Sequence, residues 1–326
     1  MPDPDRSQVV PPREGEPVNK LLSVVIPVYY NAESLQELFV ELVKLEENIA
    51  KRGVGLELIF VNDGSGDDSL AELLAIKRAR PATKVISLSR NFGAVSASKA
   101  GYSFVTGDAF IILAADLQDP PEQIGVMLDH WLAGSRFIVS ARATRKDPPS
   151  SVLFAWIYYR ILEWFVLPGF PRGGFDLMLM DRKMLPYMIQ HPKNTNPNLY
   201  AYWLGFTPTL LYYDRRERRH GKSRWSFSKK VKFFFDTICG FTVVPIRLMS
   251  IIGVSAACLS CIYGVRIAFA AYQGRVPVQG FATLAALISF FSGLILVMLG
   301  TLGEYLWRVF DAVGSKPESV IDEVHL

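Results

Sequence analysis

The chain has 326 residues, room for one large domain or two smaller ones, and 50% of them are hydrophobic against 20% charged. That balance is apolar for a soluble enzyme and points to membrane contact, whereas a net charge of +4 is too mild to argue for nucleic acid. The three cysteines, Cys239, Cys258 and Cys261, form no disulfide framework, and Cys258 and Cys261 sit in an apolar segment without partners at zinc spacing.

Met1 to Lys20 is Pro-rich and charged, with no apolar core; it reads as a disordered lead and not as a signal peptide. From Leu21 to about Ala141 strand and helix patterns alternate. Strands are expected at Leu21–Ile26, Leu56–Val61, Val85–Leu88, Ala109–Leu113 and Phe137–Ser140. Helices are expected at Glu33–Lys51, Asp68–Arg78, Ala94–Val105 and Pro121–Ala133. Such alternation predicts an α/β domain with a mainly parallel sheet covered by helices on both faces, and ligands bind such sheets at the carboxyl ends of the strands. Pro27 and Tyr29 follow the first strand, Asn62-Asp63-Gly64-Ser65 the second, Ser89-Arg90-Asn91 the third, and Asp116 the fourth. Four polar groups from four strands therefore converge on one edge.

Within Asp116-Leu117-Gln118-Asp119-Pro120-Pro121-Glu122, a carboxylate and an amide two residues apart offer hard oxygens to a divalent cation held against a diphosphate. Asp119 is expected as a helix N-cap, with Pro120 and Pro121 at the first helical positions. Asp63 reads either as a carboxylate for a nucleotide base or ribose or as an Asx-turn residue, and Arg90 suits a planar acceptor or phosphate. Asp176, after Gly173-Gly174-Phe175, is either buried in a turn or poised at a cleft; Asp181 is expected to cap the following helix.

Phe154 to Leu167 is aromatic-rich and fits a core, subunit-contact or bilayer-contact helix. Arg215 to Arg224 is the densest charge run, fitting a solvated loop, a lipid-headgroup patch or a phosphate clamp. Trp225 to Phe241 mixes lysines with phenylalanines, as an interfacial helix does. Leu248–Val265 and Val276–Gly303 hold 18 and 28 residues without a charge and are joined by a short polar connection around Gln273-Gly274-Arg275. Each is long enough to cross a hydrocarbon core of ~30 Å, so a transmembrane hairpin is expected. Basic residues flank both ends, which puts both flanks in the cytoplasm by the positive-inside rule. No phosphate-loop, dinucleotide-binding or H-E-x-x-H motif occurs.

Together these residues resemble family 2 glycosyltransferases of the GT-A fold, specifically the polyprenyl-phosphate glycosyltransferases. That group includes dolichyl-phosphate mannose synthases and bacterial undecaprenyl-phosphate glucosyl- and aminoarabinosyl-transferases. The resemblance runs from about Leu21 to Ser319. It rests on Val24-Val25-Ile26-Pro27-Val28-Tyr29, Val61 to Ser65, Arg90 to Gly93, Asp116 to Glu122, Gly221 to Trp225 with Arg215 and Arg218, and Leu302-Gly303-Glu304-Tyr305-Leu306.

The resemblance implies a membrane-bound, inverting transfer of a sugar, first glucose, from a nucleotide-diphosphate sugar, first a UDP-sugar, to undecaprenyl or dolichyl phosphate. It implies that Pro27, Tyr29, Asn31, Glu33, Asp63, Arg90 and Asp116 hold the nucleotide. Asp116 and Gln118 would bind Mg²⁺ or Mn²⁺. Arg215, Arg218, Lys222, Ser223 and Arg224 would take the lipid phosphate, and Asp176, with Asp116, Arg215 and Arg218, would form the catalytic set. The implied layout is a lead to residue 20, a GT-A catalytic domain over 21–224, a juxtamembrane helix over 225–244, two transmembrane helices over 245–307 and a cytoplasmic tail over 308–326. The implied location is the inner membrane, multi-pass, with the catalytic domain facing the cytoplasm; a homo-oligomer is compatible. Three departures stand out: Ala114 replaces the usual first Asp of Asp-Ala-Asp, Tyr30-Asn31 replaces the usual Asn-Glu, and Met178 replaces an Arg. Ala114, Met178 and Asn194 to Asn198 are candidates for donor choice. The rival readings are a processive polysaccharide synthase and a non-catalytic membrane scaffold on a degenerate transferase.

Overall fold

The structure, a computed structural model, describes residues 20–143, 158–160, 162–164, 166–171, 173–193, 195–216, 234, 237–274, 280–314 and 316–326. Its residues fall into two compact units, 1–225 together with 317–326, and 226–316.

In the first unit, strands and helices alternate from the start: β1 Lys20–Val28, α1 Ala32–Ala50, β2 Val54–Asn62, α2 Ser69–Ala79, β3 Lys84–Leu88, α3 Ala94–Tyr102, β4 Ala109–Ile112, α4 Glu122–Leu132 and β5 Phe137–Arg142. Next come β6 Leu177–Asp181, α5 Leu185–Ile189, α6 Pro197–Trp203 and β7 Pro208–Tyr213, and the chain ends in β8 Ile321–His325. The helices form for the expected reason. In α1 the buried Leu35, Leu38, Leu42, Leu45 and Ile49 recur every three or four residues, so one stripe faces the sheet. Strands β1 and β2 are near-continuous apolar runs because both of their faces are covered.

The eight strands form one sheet in the order β7-β5-β6-β4-β1-β2-β3-β8. Strands β1 to β4 pair in parallel, while β6 is antiparallel to both β4 and β5, and β8 is antiparallel to β3. Two consequences position the site. Chain order reverses at β1, with β2 on one side and β4 on the other, so a crevice opens between the carboxyl ends of β1 and β4. Because β6 runs backwards, its first residues lie at the same edge as the ends of β1, β2, β3, β4, β5 and β7.

Two elements differ from expectation. Asp119 is not an N-cap: α4 starts at Glu122 with Pro121 in the cap position and no side-chain cap bond, and Asp119 turns into the protein. The last residues are not a plain tail: the helix before them runs to Val313, and β8 pairs with β3 through a bulge at Ser87/Leu88. This closing strand covers what would be the open edge of β3. Ser89 N–H donates to Val320 O at 3.0 Å, and Lys99 Nζ lies 2.7 Å from Glu318 Oε1. A five-residue strand of mixed polarity, Ile-Asp-Glu-Val-His, carries too little pattern to be read from sequence. Asp181 does cap the next turn, accepting from Lys183 N–H at 3.0 Å.

The second unit contains two long helices, α7 Val244–Tyr272 and α8 Phe281–Val313. Their stretches Val244–Ile267 and Phe290–Val313 have mean hydropathy 2.0 and 1.5, are long and apolar enough to cross a membrane, and are not buried within the chain. A Cβ at Gly253 would come within 2.9 Å of Met298 Cε, so the absence of a side chain there lets the two helices approach.

Candidate active site

The edge carries three adjoining sets of residues. On the β1–β2–β3 side, loops are tied together by short polar side chains. Tyr29 N–H donates to Asn31 Oδ1 at 3.1 Å, Tyr30 N–H to Ser65 Oγ at 3.2 Å, and Asn31 N–H to Ser69 Oγ at 3.0 Å. Pro27 and Tyr29 are half-buried beside them, and Glu33 is exposed on the first turn of α1. Asp63 is 1% exposed, and its carboxylate accepts from Phe92 N–H (2.7 Å), Gly93 N–H (2.9 Å) and Asn91 Nδ2 (3.1 Å). Asp63 thus fixes the 91–93 loop in place; burial pushes its carboxyl up, opposed by the Phe92 and Gly93 amides. The Asx turn belongs to the residue before it, where Asn62 Oδ1 accepts from Ser65 N–H at 3.2 Å. Arg90 is exposed, with its guanidinium 4.1 Å from the Phe92 ring centre.

Gly64 makes this loop contact possible. Its φ is +61°, and a Cβ there would lie 2.4 Å from the Arg90 carbonyl carbon. Gly134 has φ +104° but open space around it. Gly64→Ala is therefore expected to destabilise by about 2 kcal/mol or more, and Gly134→Ala by only about 1. Thermal unfolding of the two variants checks this; equal losses would show that the close approach of Gly64 to Arg90 is not what matters.

In the centre, after β4, residues alternate between buried (Ala115, Leu117, Asp119) and half-buried (Ala114, Asp116, Gln118). Leu117 has φ 59° and is 3% exposed, a left-handed conformation costing ~1–2 kcal/mol that its anchored side chain holds in place. The turn leaves Asp116 and Gln118 together at the strand end, where Gln118 N–H donates to Asp116 Oδ1 at 3.2 Å. Arg216 N–H donates to Gln118 O at 3.0 Å, so the segment after β7 runs along this loop.

Beside it lies a charged cluster, buried at Asp119 and half-buried at Arg142, Asp176 and Arg215. Arg142, ending β5, grips Asp176 with Nε–Oδ2 and Nη2–Oδ1 contacts of 2.8 Å each. Tyr213, ending β7, donates its hydroxyl to Asp119 Oδ1 at 2.5 Å and lies 3.5 Å from Asp176 Oδ2. Arg215 Nε is 3.0 Å from Asp119 Oδ1, an ion pair whose N–H is not aligned as a hydrogen bond. Two carboxylates and two guanidiniums thus balance around one phenol. Burial raises the Asp119 carboxyl, with Arg215 and Tyr213 opposing, and burial followed by Asp119 pushes the Tyr213 phenol far up, so it remains a donor. Hydrogen bonding to Asp176 keeps the Arg142 guanidinium charged.

Between this cluster and α3 is a cavity of about 220 Å³ lined by Pro27, Ala114, Asp119, Asp176, Met178 and Asn198, with residues of α3 and His191 opposite. His191 is 3% exposed, and neither of its ring nitrogens has a hydrogen-bond partner among the described residues. Burial, reinforced by the Lys99 ammonium, pushes its imidazole down to about 4. The unfolded chain takes up this proton near 6.5 and the folded one only near 4. Stability from this group is therefore complete above pH 6.5 and is lost as pH falls toward 4, by roughly 3 kcal/mol. His191→Gln should flatten that part of the melting-temperature profile. Parallel losses in variant and wild type between pH 6.5 and 4 would contradict a buried neutral imidazole.

Of the residues singled out from sequence, Pro27, Tyr29, Asn31, Asp63, Arg90, Asp116, Gln118, Asp176 and Arg215 all lie on this edge. Arg218, Lys222, Ser223 and Arg224 lie outside the described residues, as do Asn194 and residues 225–233, 235 and 236 of the expected juxtamembrane helix. Arg142, Asp119, Tyr213 and His191 were not singled out for the site. Arg142 and Tyr213 could have been found as the residues ending two more strands at the same edge. His191 lies in a loop with no pattern around it. Among the described residues no group of three or more His, Cys, Asp or Glu side chains is placed to hold a metal by itself. Asp116 and Gln118 supply hard oxygens, so the donor set fits Mg²⁺ or Mn²⁺ only when phosphate oxygens complete it.

Comparison with known proteins agrees with this architecture. Residues 23–195 match the model of glycosyl transferase family 2. An uncharacterized glycosyltransferase of Synechocystis sp. is 32% identical over 306 residues, covering 93% of this chain and 95% of that protein. A bactoprenol glucosyl transferase of Shigella phage SfX is 30% identical, covering 92% of this chain and 98% of the relative. An undecaprenyl-phosphate 4-deoxy-4-formamido-L-arabinose transferase of Klebsiella pneumoniae is 30% identical, covering 94% of each chain. With a GT-A type, mainly parallel sheet and a family match over more than half its length, the chain belongs to glycosyl transferase family 2.

Proposed function

We propose that the protein moves a sugar from a nucleotide-diphosphate sugar to a polyprenyl phosphate at a membrane surface. The observation that carries this reading is the convergence at one sheet edge of an Asp116–Gln118 pair and a four-charge cluster, in a chain that continues into two long apolar helices. The names of the phage and Klebsiella relatives point to the same acceptor class.

In this reading the β1–β2–β3 side, with Pro27, Tyr29, Asn31, Glu33 and Arg90, receives the nucleotide, and Asp63 shapes its floor. Asp116 and Gln118 hold Mg²⁺ or Mn²⁺ against the diphosphate. When bound, the ion supplies charge neutralisation for the departing diphosphate. Arg215 reaches the lipid phosphate with the guanidinium edge beyond Nε, joined by Arg218, Lys222, Ser223 and Arg224. The acceptor is already an ionised phosphate near neutral pH, so little general-base work is needed and positioning dominates. Asp176, gripped by Arg142, orients the acceptor or the sugar. Attack by the phosphate oxygen on the anomeric carbon gives inversion. Glucose from a UDP-linked donor is the first expectation. The apolar helices would anchor the catalytic unit on the cytoplasmic face of the membrane, in two passes.

The acceptor's phosphate is the nucleophile in this scheme. Undecaprenyl phosphate should therefore accept label from a nucleotide sugar, and undecaprenol, which lacks the phosphate, should not. Equal transfer to both lipids would exclude the proposed chemistry.

A further inference from the structure

We propose that the C-terminal segment, residues 318–325, positions the nucleotide-binding loop 90–93, so that docking of this segment and binding of the nucleotide strengthen each other. This rests on the transferase reading above, which gives Arg90 to the nucleotide, and it assigns positioning residues that do not themselves touch substrate.

The loop is neither helix nor strand, so its shape depends on what holds its flanks. On the β2 side, Asp63 accepts from Phe92 N–H, Gly93 N–H and Asn91 Nδ2, and Gly64 lies too close to the Arg90 backbone to leave room for a Cβ. On the other side the holds come from the C-terminal segment. Ser89 N–H, directly ahead of the loop, donates to Val320 O at 3.0 Å. Lys99 Nζ, on the helix that follows the loop, reaches Glu318 Oε1 at 2.7 Å and His191 O at 2.6 Å. Contacts at Ser89 and Lys99 therefore bracket the loop from both ends.

Burial does not account for this strand. Ile321 is 41% and Val324 42% exposed, so β8 removes little apolar surface from water. Ladder bonds to β3 and the Glu318 ion pair hold it instead, and each such contact is worth only a modest net amount. Docking of this kind opens locally at low cost, and a bound ligand can shift it. The register points the same way. Val85 to Ser87 pair in step with His325 to Glu323, and then Leu88 faces Ile321, which leaves Asp322 as the extra residue of a bulge. A bulge bends and twists its strand, and beyond this one the contact continues to Val320 O and Ser89 N–H.

Coupling between two binding events is reciprocal. If docking of 318–325 favours the loop shape that takes the nucleotide, the nucleotide favours docking by the same factor. A strand that only covers the edge of β3 would stabilise the fold without that preference.

The test uses the full-length protein in lipid nanodiscs with Mn²⁺, and UDP and GDP as ligands. Calorimetry compares wild type with Glu318→Ala and with a chain ending at Lys316. Nucleotide affinity should fall about 3- to 10-fold in Glu318→Ala and about 5- to 100-fold in the shortened chain, while KM for undecaprenyl phosphate stays within about twofold. Glu318→Asp keeps the carboxylate and should recover most of the affinity. Gly134→Ala, between α4 and β5, should lose melting temperature and keep its nucleotide affinity. In wild type, bound nucleotide should slow hydrogen exchange at the amides of 321–325 by a factor similar to the one lost in the shortened chain. Nucleotide affinity unchanged in both variants, or lost equally in Gly134→Ala, overturns the proposal and leaves the transferase reading intact. If the shortened chain does not fold, Glu318→Ala and the exchange measurement decide. Exchange at 321–325 that is indifferent to bound nucleotide then overturns the proposal. No nucleotide binding to wild type removes the transferase reading and the positioning role with it.

Discussion

Asp116→Ala is expected to lower kcat for sugar transfer by about 10²- to 10³-fold, the loss typical of removing one preorganised electrostatic contact to developing charge. The size follows from Ala114. With an alanine at that position, Asp116 is the carboxylate that remains beside Gln118 at the end of β4. Removing it leaves an amide to meet the ion and the diphosphate. The fold should survive, because Asp116 is only half-buried and the turn is held by the buried Leu117 and by Arg216 N–H on Gln118 O. The melting temperature should therefore stay within a few degrees while Mn²⁺-dependent nucleotide binding disappears. Near-wild-type turnover in this variant would remove the metal-centred account of the site.

Asp119→Ala should combine a large stability loss with a large activity loss. The residue is 5% exposed, takes the Tyr213 hydroxyl at 2.5 Å and faces Arg215 Nε at 3.0 Å. Removing one partner of a buried pair leaves the other uncompensated, at a cost of about 3–5 kcal/mol; the partial exposure of Arg215 places this case at the lower end. Tyr213 would lose its acceptor as well, and the phenol that lies between Asp119 and Asp176 would lose its fixed direction. A fall in the melting temperature, together with a rise in KM for the lipid phosphate, is the expected pair of results. Asp119→Asn keeps an acceptor for Tyr213 and should recover much of the stability but not the hold on Arg215. If Asp119→Ala left KM for the lipid unchanged, Arg215 would not be positioned through Asp119.

The contrast between these two aspartates shows what sequence can and cannot tell. Asp116 was legible because its place follows from one strand and one motif. Asp119 was read as a helix cap, since Asp before Pro-Pro is a common helix start. Its actual role depends on Tyr213 and Arg215, 94 and 96 positions along the chain, brought over by a strand pairing that no local pattern announces. The same holds for Arg142. Met178, where the resemblance led one to expect an arginine, is buried in β6, and the guanidinium that pairs with Asp176 comes from the end of β5. Strands β1 to β5 and α1 to α4 were legible within a few residues because their apolar periodicity is strong. The closing strand β8 and the Lys99–Glu318 contact were not, because long-range pairing and not local composition decides them.

The most direct test of the central claim is a transfer assay with membranes carrying the full-length protein, undecaprenyl phosphate and a panel of labelled nucleotide sugars. It is run with Mn²⁺, with Mg²⁺ and with a chelator. The account predicts label in the lipid phase from one preferred nucleotide sugar, dependent on a divalent ion and absent in Asp116→Ala. Label from no donor, or transfer that is indifferent to both the chelator and the loss of Asp116, would contradict it.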